Sequence, residues 1–248
     1  MKHPLRTLLL AVCCGLAAAC TQRQERLKLM SYNIRNGIGI DNIQDIGRIA
    51  RVILREAPDL VALQELDSAT LRVDGRYIPG ELGRMTGMHA TFGRAIGFAG
   101  GSYGVGLLSR TEPLAVRSIP LPGREEARVL LMAEFPDYTV CVTHLSLTPE
   151  DRHASLPLIL QATDTCRKPV LLAGDFNTGD AAAVLAGLGG GFRILSDTTR
   201  MTFPSDNPAV RIDYILGRGL PTSATVTASD HCPLWVTLVW KRGKQPGK

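Results

Sequence analysis

Two short apolar runs that end in acids constrain the fold of this chain more than anything else in it. Leu60-Val61-Ala62-Leu63 runs into Gln64-Glu65, and Val170-Leu171-Leu172-Ala173 runs into Gly174-Asp175. Short continuous aliphatic runs of this kind read as strands buried on both faces, so the carboxylate that closes each one emerges at a sheet edge. In α/β folds that edge is where ligands bind. Two more polar clusters, Arg211-Ile212-Asp213-Tyr214 and Ser229-Asp230-His231, lie beside strand-like segments further on.

Around these landmarks the pattern reads as alternating strands and helices. Leu27 to Tyr32 alternates as an opening strand and delivers Asn33 at its end. Asn42 is placed to cap a helix carrying Ile43, Ile46, Ile49, Ala50, Ile53 and Leu54, which stops before Pro58. The crossover from the first strand through this helix to Leu60–Leu63 should bring Asn33 and Glu65 to one sheet edge. A helical segment with Leu82, Met85 and Met88 follows, then strands at Ala90–Phe92 and Val105–Ser109 with a glycine-rich stretch, Gly97 to Gly104, between them. Arg128–Phe135 and Tyr138–Thr143 read as a hairpin around Pro136-Asp137, with His144 just past it. A helix over 149–166 containing Pro157, the Val170 strand, a helix over Ala181–Leu188, and strands at Arg211–Leu216 and Leu234–Trp240 complete the series. Strand content is high and partly hairpin-like. The expected architecture is therefore a four-layer α/β sandwich, two mixed sheets face to face with helices on the outer faces.

The ends of the chain carry a different message. Lys2 and Arg6 precede Leu8-Leu9-Leu10-Ala11-Val12, and the apolar stretch closes on Ala17-Ala18-Ala19-Cys20, too short to span a bilayer and shaped like a secretory signal. The organisation expected is a lipoprotein-type signal peptide over 1–19, a polar tether over 20–26, one domain over 27–240 and a basic tail over 241–248. The small-small-Cys ending resembles a bacterial lipoprotein box, which implies a lipid on Cys20; with no aspartate at Thr21, the resemblance favours the outer membrane over a secreted or periplasmic form. The 248 residues hold 28 basic and 23 acidic side chains; without Lys2 and Arg6 the excess falls by two to +3, too mild to signal nucleic-acid binding. Beyond the signal and Cys20 only Cys141, Cys166 and Cys232 remain, an odd number that excludes a complete disulfide framework.

In order along the chain stand Ser31-Tyr32-Asn33, Gln64-Glu65, Gly104-Val105-Gly106-Leu107-Leu108-Ser109-Arg110, Thr143-His144-Leu145, Gly174-Asp175-Phe176-Asn177, Arg211-Ile212-Asp213-Tyr214 and Ser229-Asp230-His231. This series resembles the endonuclease/exonuclease/phosphatase superfamily across essentially the whole domain. The resemblance implies hydrolysis of a phosphate ester by water with Mg²⁺, or Mn²⁺ in its place, and Mg²⁺ suits a site of one or two carboxylates with open positions. It implies Glu65 as principal metal ligand with Asn33 and Asp230. Asp175 would orient or deprotonate the attacking water, Asn177 would bond phosphoryl oxygens or the nucleophile, and His231, paired with Asp213, would stabilise growing negative charge. His144 stands where phosphodiesterase members carry a phosphate-contacting histidine. Arg35 replaces an acidic metal ligand of the abasic-site nucleases, which argues against DNA repair. Phe98 and Tyr103, with Arg35, are the side chains placed to touch substrate, while Arg128 and Arg211 are expected to brace carboxylates. The leading expectation is a monomeric cell-envelope phosphodiesterase or phosphatase, held to the membrane by its lipid and acting on phospholipid-like or small phosphate compounds. The alternatives are a secreted nuclease acting on DNA or RNA and a non-catalytic surface lipoprotein.

Overall fold

A computed structural model describes residues 24–220, 225–228 and 233–241. Cys20, Asp230, His231 and Cys232 lie outside the described residues. In chain order the elements are β1 (Gln24–Asn33), α1 (Ile46–Glu56), β2 (Leu60–Ser68), α2 (Ile78–Thr86), β3 (His89–Phe98), β4 (Gly101–Ser109), β5 (Ala115–Leu121), β6 (Arg128–Glu134), β7 (Thr139–His144), α3 (Pro149–Asp164), β8 (Val170–Asp175), α4 (Ala181–Leu188), β9 (Arg193–Ile194), β10 (Asp213–Arg218), β11 (Thr225–Ala228) and β12 (Leu234–Lys241). They form two mixed six-stranded sheets, ordered β11-β12-β1-β2-β4-β3 and β5-β6-β7-β8-β10-β9.

Three apolar clusters separate the four layers. Between the sheets Leu29, Ala62 and Leu107 meet Leu131, Val142, Ala173 and Ile215. On the outer face of the first sheet Val61 and Leu63 pack under Ile49, Ile53, Ile78 and Leu82 of α1 and α2. On the outer face of the second, Leu130, Cys141 and Leu172 pack under Leu156, Ile159 and Val184 of α3 and α4. Successive residues of β2, β7 and β8 thus face different cores, which explains why their sequences are apolar without alternation; each large side chain so buried contributes about 1.5–3 kcal/mol. Cys141 and Cys166 are free thiols.

Several expectations change at the element ends. Helix α1 is capped by Asp45, whose side chain accepts from the Arg48 amide, while Asn42 sits in a left-handed turn and Ile43 and Leu54 are exposed. The glycine-rich segment is mostly strand: β3 and β4 pair to Phe98 and Gly101, and a Cβ at Gly104 would sit 2.1 Å from the Gly93 carbonyl oxygen. Strand β5 has no apolar pattern to announce it, being an exposed edge containing Pro120. Strands β9 and β11 are too short for a pattern.

Strands β1 and β12 are antiparallel, with Gln24 opposite Lys241. Asn33 closes the other end of β1, so both ends of the described chain leave the domain at the edge opposite Asn33.

Candidate active site

At the carboxyl end of the second sheet, three polar side chains form one row across three strands. His144 of β7 is in register with Asp175 of β8, and Asp175 with Asp213 of β10. Val142, Ala173 and Ile215, two residues away on each strand, belong to the core between the sheets. By the strand period of two, the row faces the same interlayer.

The first sheet meets it with Asn33 and Glu65. Residues Leu60 and Ala62 of β2 point to the interlayer while Val61 and Leu63 point outward. Simple alternation would send Glu65 outward as well. Instead the register with β4 shifts between Leu63 and Leu66, Leu66 takes the outward place, and Glu65 adopts φ of 55°. This β-bulge re-aims the carboxylate inward at the cost of a strained backbone, a combination typical of functional sites. The Asn33 amide nitrogen then donates to Glu65 Oε1 at 2.9 Å and to Asp175 Oδ2 at 3.2 Å, tying the two sheets' carboxylates together. Its oxygen accepts from the Arg35 backbone N–H at 3.0 Å.

Asp175 is held further by the Asn177 backbone N–H, which donates to Oδ1 at 2.9 Å in an Asx turn with Asn177 left-handed. The Asn177 side chain donates to the Leu145 carbonyl at 2.8 Å. Burial pushes the Asp175 carboxyl above the ordinary range, with a further push from Glu65; burial and the Asp175 charge do the same to Asp213. His144 Nε2 lies 3.8 Å from Asp175 Oδ2. Burial and the Arg128 charge push its pKa down to about 3, so at neutral pH the imidazole is uncharged and the contact is not an ion pair. His89 and His153 are exposed.

Around this centre the remaining residues divide. Arg128 is buried and braces Glu126 at 3.0 Å and Glu125 at 3.2 Å, as expected. Arg211 donates to the Thr198 carbonyl and stacks over the Tyr214 ring. Tyr103 is buried in β4, its hydroxyl pKa raised by burial and by the charge of Glu65, and Phe98 stands half out of the rim beside it. Arg35 is exposed in a left-handed conformation.

Arg72 was not legible as a site residue. It bonds the buried Asp67 at 2.8 Å and the Asn36 side chain at 2.7 Å, and lies over both Phe98 and Tyr103. The spacing Asp67, Thr70, Arg72 just past an acid-tipped strand was the available signal, since Thr70 also donates to Asp67. A separate cavity of about 620 Å³, lined by Arg117, Glu134, Cys166 and Lys168 among others, lies at the opposite edge and takes no part.

The donor set fits a hard divalent cation. The Glu65 and Asp175 carboxylates, one from each sheet, are drawn to the same Asn33 amide, and the Glu65 charge adds to the upward push that burial gives the two buried aspartates. Among the described residues no three His, Cys, Asp or Glu side chains gather as a closed metal cage; a cation held by Glu65 and Asn33 would keep open positions.

The sequence model of the endonuclease/exonuclease/phosphatase family matches residues 30–234. The chain belongs to that family. Family members are phosphoester hydrolases, generally dependent on a divalent metal, and this endonuclease/exonuclease/phosphatase protein is an enzyme of that kind. No curated protein matches the chain. Among solved structures, an endonuclease/exonuclease/phosphatase from Beutenbergia cavernae aligns with TM-score 0.67 and 23% identity over 88% of this chain and 72% of its own. The mannosyl-6-phosphatase Bt3783 of Bacteroides thetaiotaomicron aligns with TM-score 0.63 and 16% identity over 86% and 99%. D. rerio TDP2 complexed with single strand DNA product gives 0.63 and 22% over 86% and 98%. At these identities the three establish the shared sandwich fold.

Proposed function

We propose that this enzyme is a Mg²⁺-dependent phosphodiesterase or phosphatase of the cell envelope, acting on phospholipid-like or small phosphate esters. The observation that carries the reading is the Asn33 amide joining Glu65 of one sheet to Asp175 of the other, beside a neutral His144. Glu65 and Asn33 would hold the divalent cation, which when bound would supply charge stabilisation to the phosphoryl oxygens. Asp175, held by two hydrogen bonds and with its proton affinity raised, orients water and accepts its proton at Oδ. His144 in its neutral form donates an N–H toward a phosphoryl oxygen without adding a second charge. Asp230 as a further ligand, and His231 paired with Asp213, complete the reading from outside the described residues.

The mild net charge supports a small or lipid-borne substrate over a long polyanion. The leading apolar segment and Ala19-Cys20 support an envelope location with a lipid on Cys20. One observation favours the nuclease alternative: Arg72, Phe98 and Tyr103 form a cation-aromatic shelf at the rim, of the kind on which a base stacks. Turnover of bis(p-nitrophenyl) phosphate and of plasmid DNA, with Mg²⁺ and after chelation, separates the readings. The diester should be hydrolysed and the DNA spared, and Glu65→Gln should lower kcat about a hundred-fold or more. Undiminished turnover after chelation would remove the metal from the mechanism, and rapid DNA cleavage would promote the nuclease.

A further inference from the structure

Eight of the fourteen large apolar side chains that the described residues leave exposed lie on loops at one edge of the molecule, Ile43 and Val210 among them. Ile40, Leu71, Phe98, Leu147, Met201 and Phe203 are between 39% and 77% exposed. They sit on five separate loops: after β1, after β2, at the β3–β4 turn, after β7 and before β10. Four of those loops adjoin the strands that carry Asn33, Glu65, His144 and Asp213, and the β3–β4 turn lies beside the end of β2, where Ser68 pairs with Ser102, so the apolar tips share the edge that holds the active site. The other six are spread over the surface: Leu54, Met85 and Leu158 on helices, Tyr77 just before α2, and Leu114 and Val116 at the edge strand β5. Scattered apolar residues need no explanation, whereas a concentrated set marks a docking surface.

We infer that this rim docks on the surface of a zwitterionic phospholipid bilayer, with the catalytic mouth facing the headgroups. The inference deepens the proposed function by naming the form in which substrate is met, and it rests on that reading.

Three features select this occupant. The tips rise from five separate loops, so they suit a fluid layer into which each side chain can insert on its own, as interfacial anchors do to a depth of about 5–10 Å. The same side of the molecule carries exposed charges of both signs, Arg35, Arg72 and Arg124 together with Asp41, Asp74 and Glu150. That pattern complements a headgroup layer carrying both signs better than an anionic one. The site that the rim surrounds processes phosphate esters, and a phosphate bordered by hydrocarbon is what a phospholipid presents.

The test is sedimentation of the chain from Thr21 onward, so that neither the apolar leading segment nor an acyl anchor contributes, with phosphatidylcholine vesicles. The comparison is a variant in the same background with Leu71→Ser, Leu147→Ser and Met201→Ser. The parent should co-sediment, and the variant should bind about ten-fold more weakly or less, while both hydrolyse bis(p-nitrophenyl) phosphate equally. A parent that stays in the supernatant at every lipid concentration, or a variant that binds as well as the parent, overturns the inference. So does a parent that is dimeric where the variant is monomeric, since the rim would then cover a second copy. Vesicle binding is read without turnover, so loss of the proposed activity and loss of the docking surface are separate results.

Discussion

His144 shows how burial changes what a residue can do. As a strand-end histidine in the sequence it reads as a phosphate contact, and nothing in the residues near it reveals that it is neutral at pH 7. That state comes from enclosure and from Arg128, a residue sixteen positions earlier brought close by the β6–β7 hairpin. The unfolded chain takes up a proton on this imidazole at about 6.5, whereas the folded chain resists until about 3. The stability it contributes is therefore present above about 6.5 and is lost as pH falls through that window. Asp175 and Asp213, shifted upward, act in the opposite sense, losing stability as pH rises. A His144→Asn variant isolates the histidine. Denaturant titrations of both proteins from pH 7 downward should show the parent's advantage over the variant shrinking by about 3 kcal/mol toward pH 4. A constant difference across the series would mean that His144 titrates normally.

At the scale of elements, the strands were legible wherever they are buried on both faces, and so were Asn33, His144 and Asp175 at their ends. The bulge was not. Leu60-Val61-Ala62-Leu63 reads as a strand that stops before Gln64, yet β2 continues to Ser68 through a left-handed Glu65, because pairing with β4 resumes at Leu66. Local sequence cannot report a register imposed by a strand forty residues away. Strand β5 escaped notice for a related reason, since its stability comes from hydrogen bonds to β6 and not from burial. The β7–β8 pair offers a direct test of how closely the site depends on strand spacing. A Cβ at Gly174 would lie 2.1 Å from the Thr143 carbonyl oxygen, between the strands that hold His144 and Asp175. Gly174→Ala should cost about 2–4 kcal/mol and abolish diester hydrolysis, while Gly179→Ala, whose Cβ has only an ordinary 3.6 Å neighbour, leaves both near the parent values. An active, stable Gly174→Ala protein would show that the two strands can part without loss.

Across the whole molecule, two sheets each supply part of one acidic cluster, and the fold pays for bringing those charges together. Neither sheet alone contains the set, and the sequence separates Asn33 from Asp175 by 142 positions. The four-layer architecture followed from strand content and hairpins, but the meeting of the edges is a property of the packed whole. A cation seated there should relieve the repulsion and stabilise the domain. With Mg²⁺ at a hundred times its Kd, differential scanning calorimetry should show Tm rising by about 5–10 °C, and Glu65→Gln should remove most of that rise. An unchanged Tm at high Mg²⁺ would mean that the cluster does not take the cation.

The pairing of Gln24 with Lys241 makes the domain directional. Strand β1 is ten residues long, so whatever is joined to either terminus is held about 30 Å from the mouth. Fusions and surface attachments made at these ends should accordingly leave the mouth open.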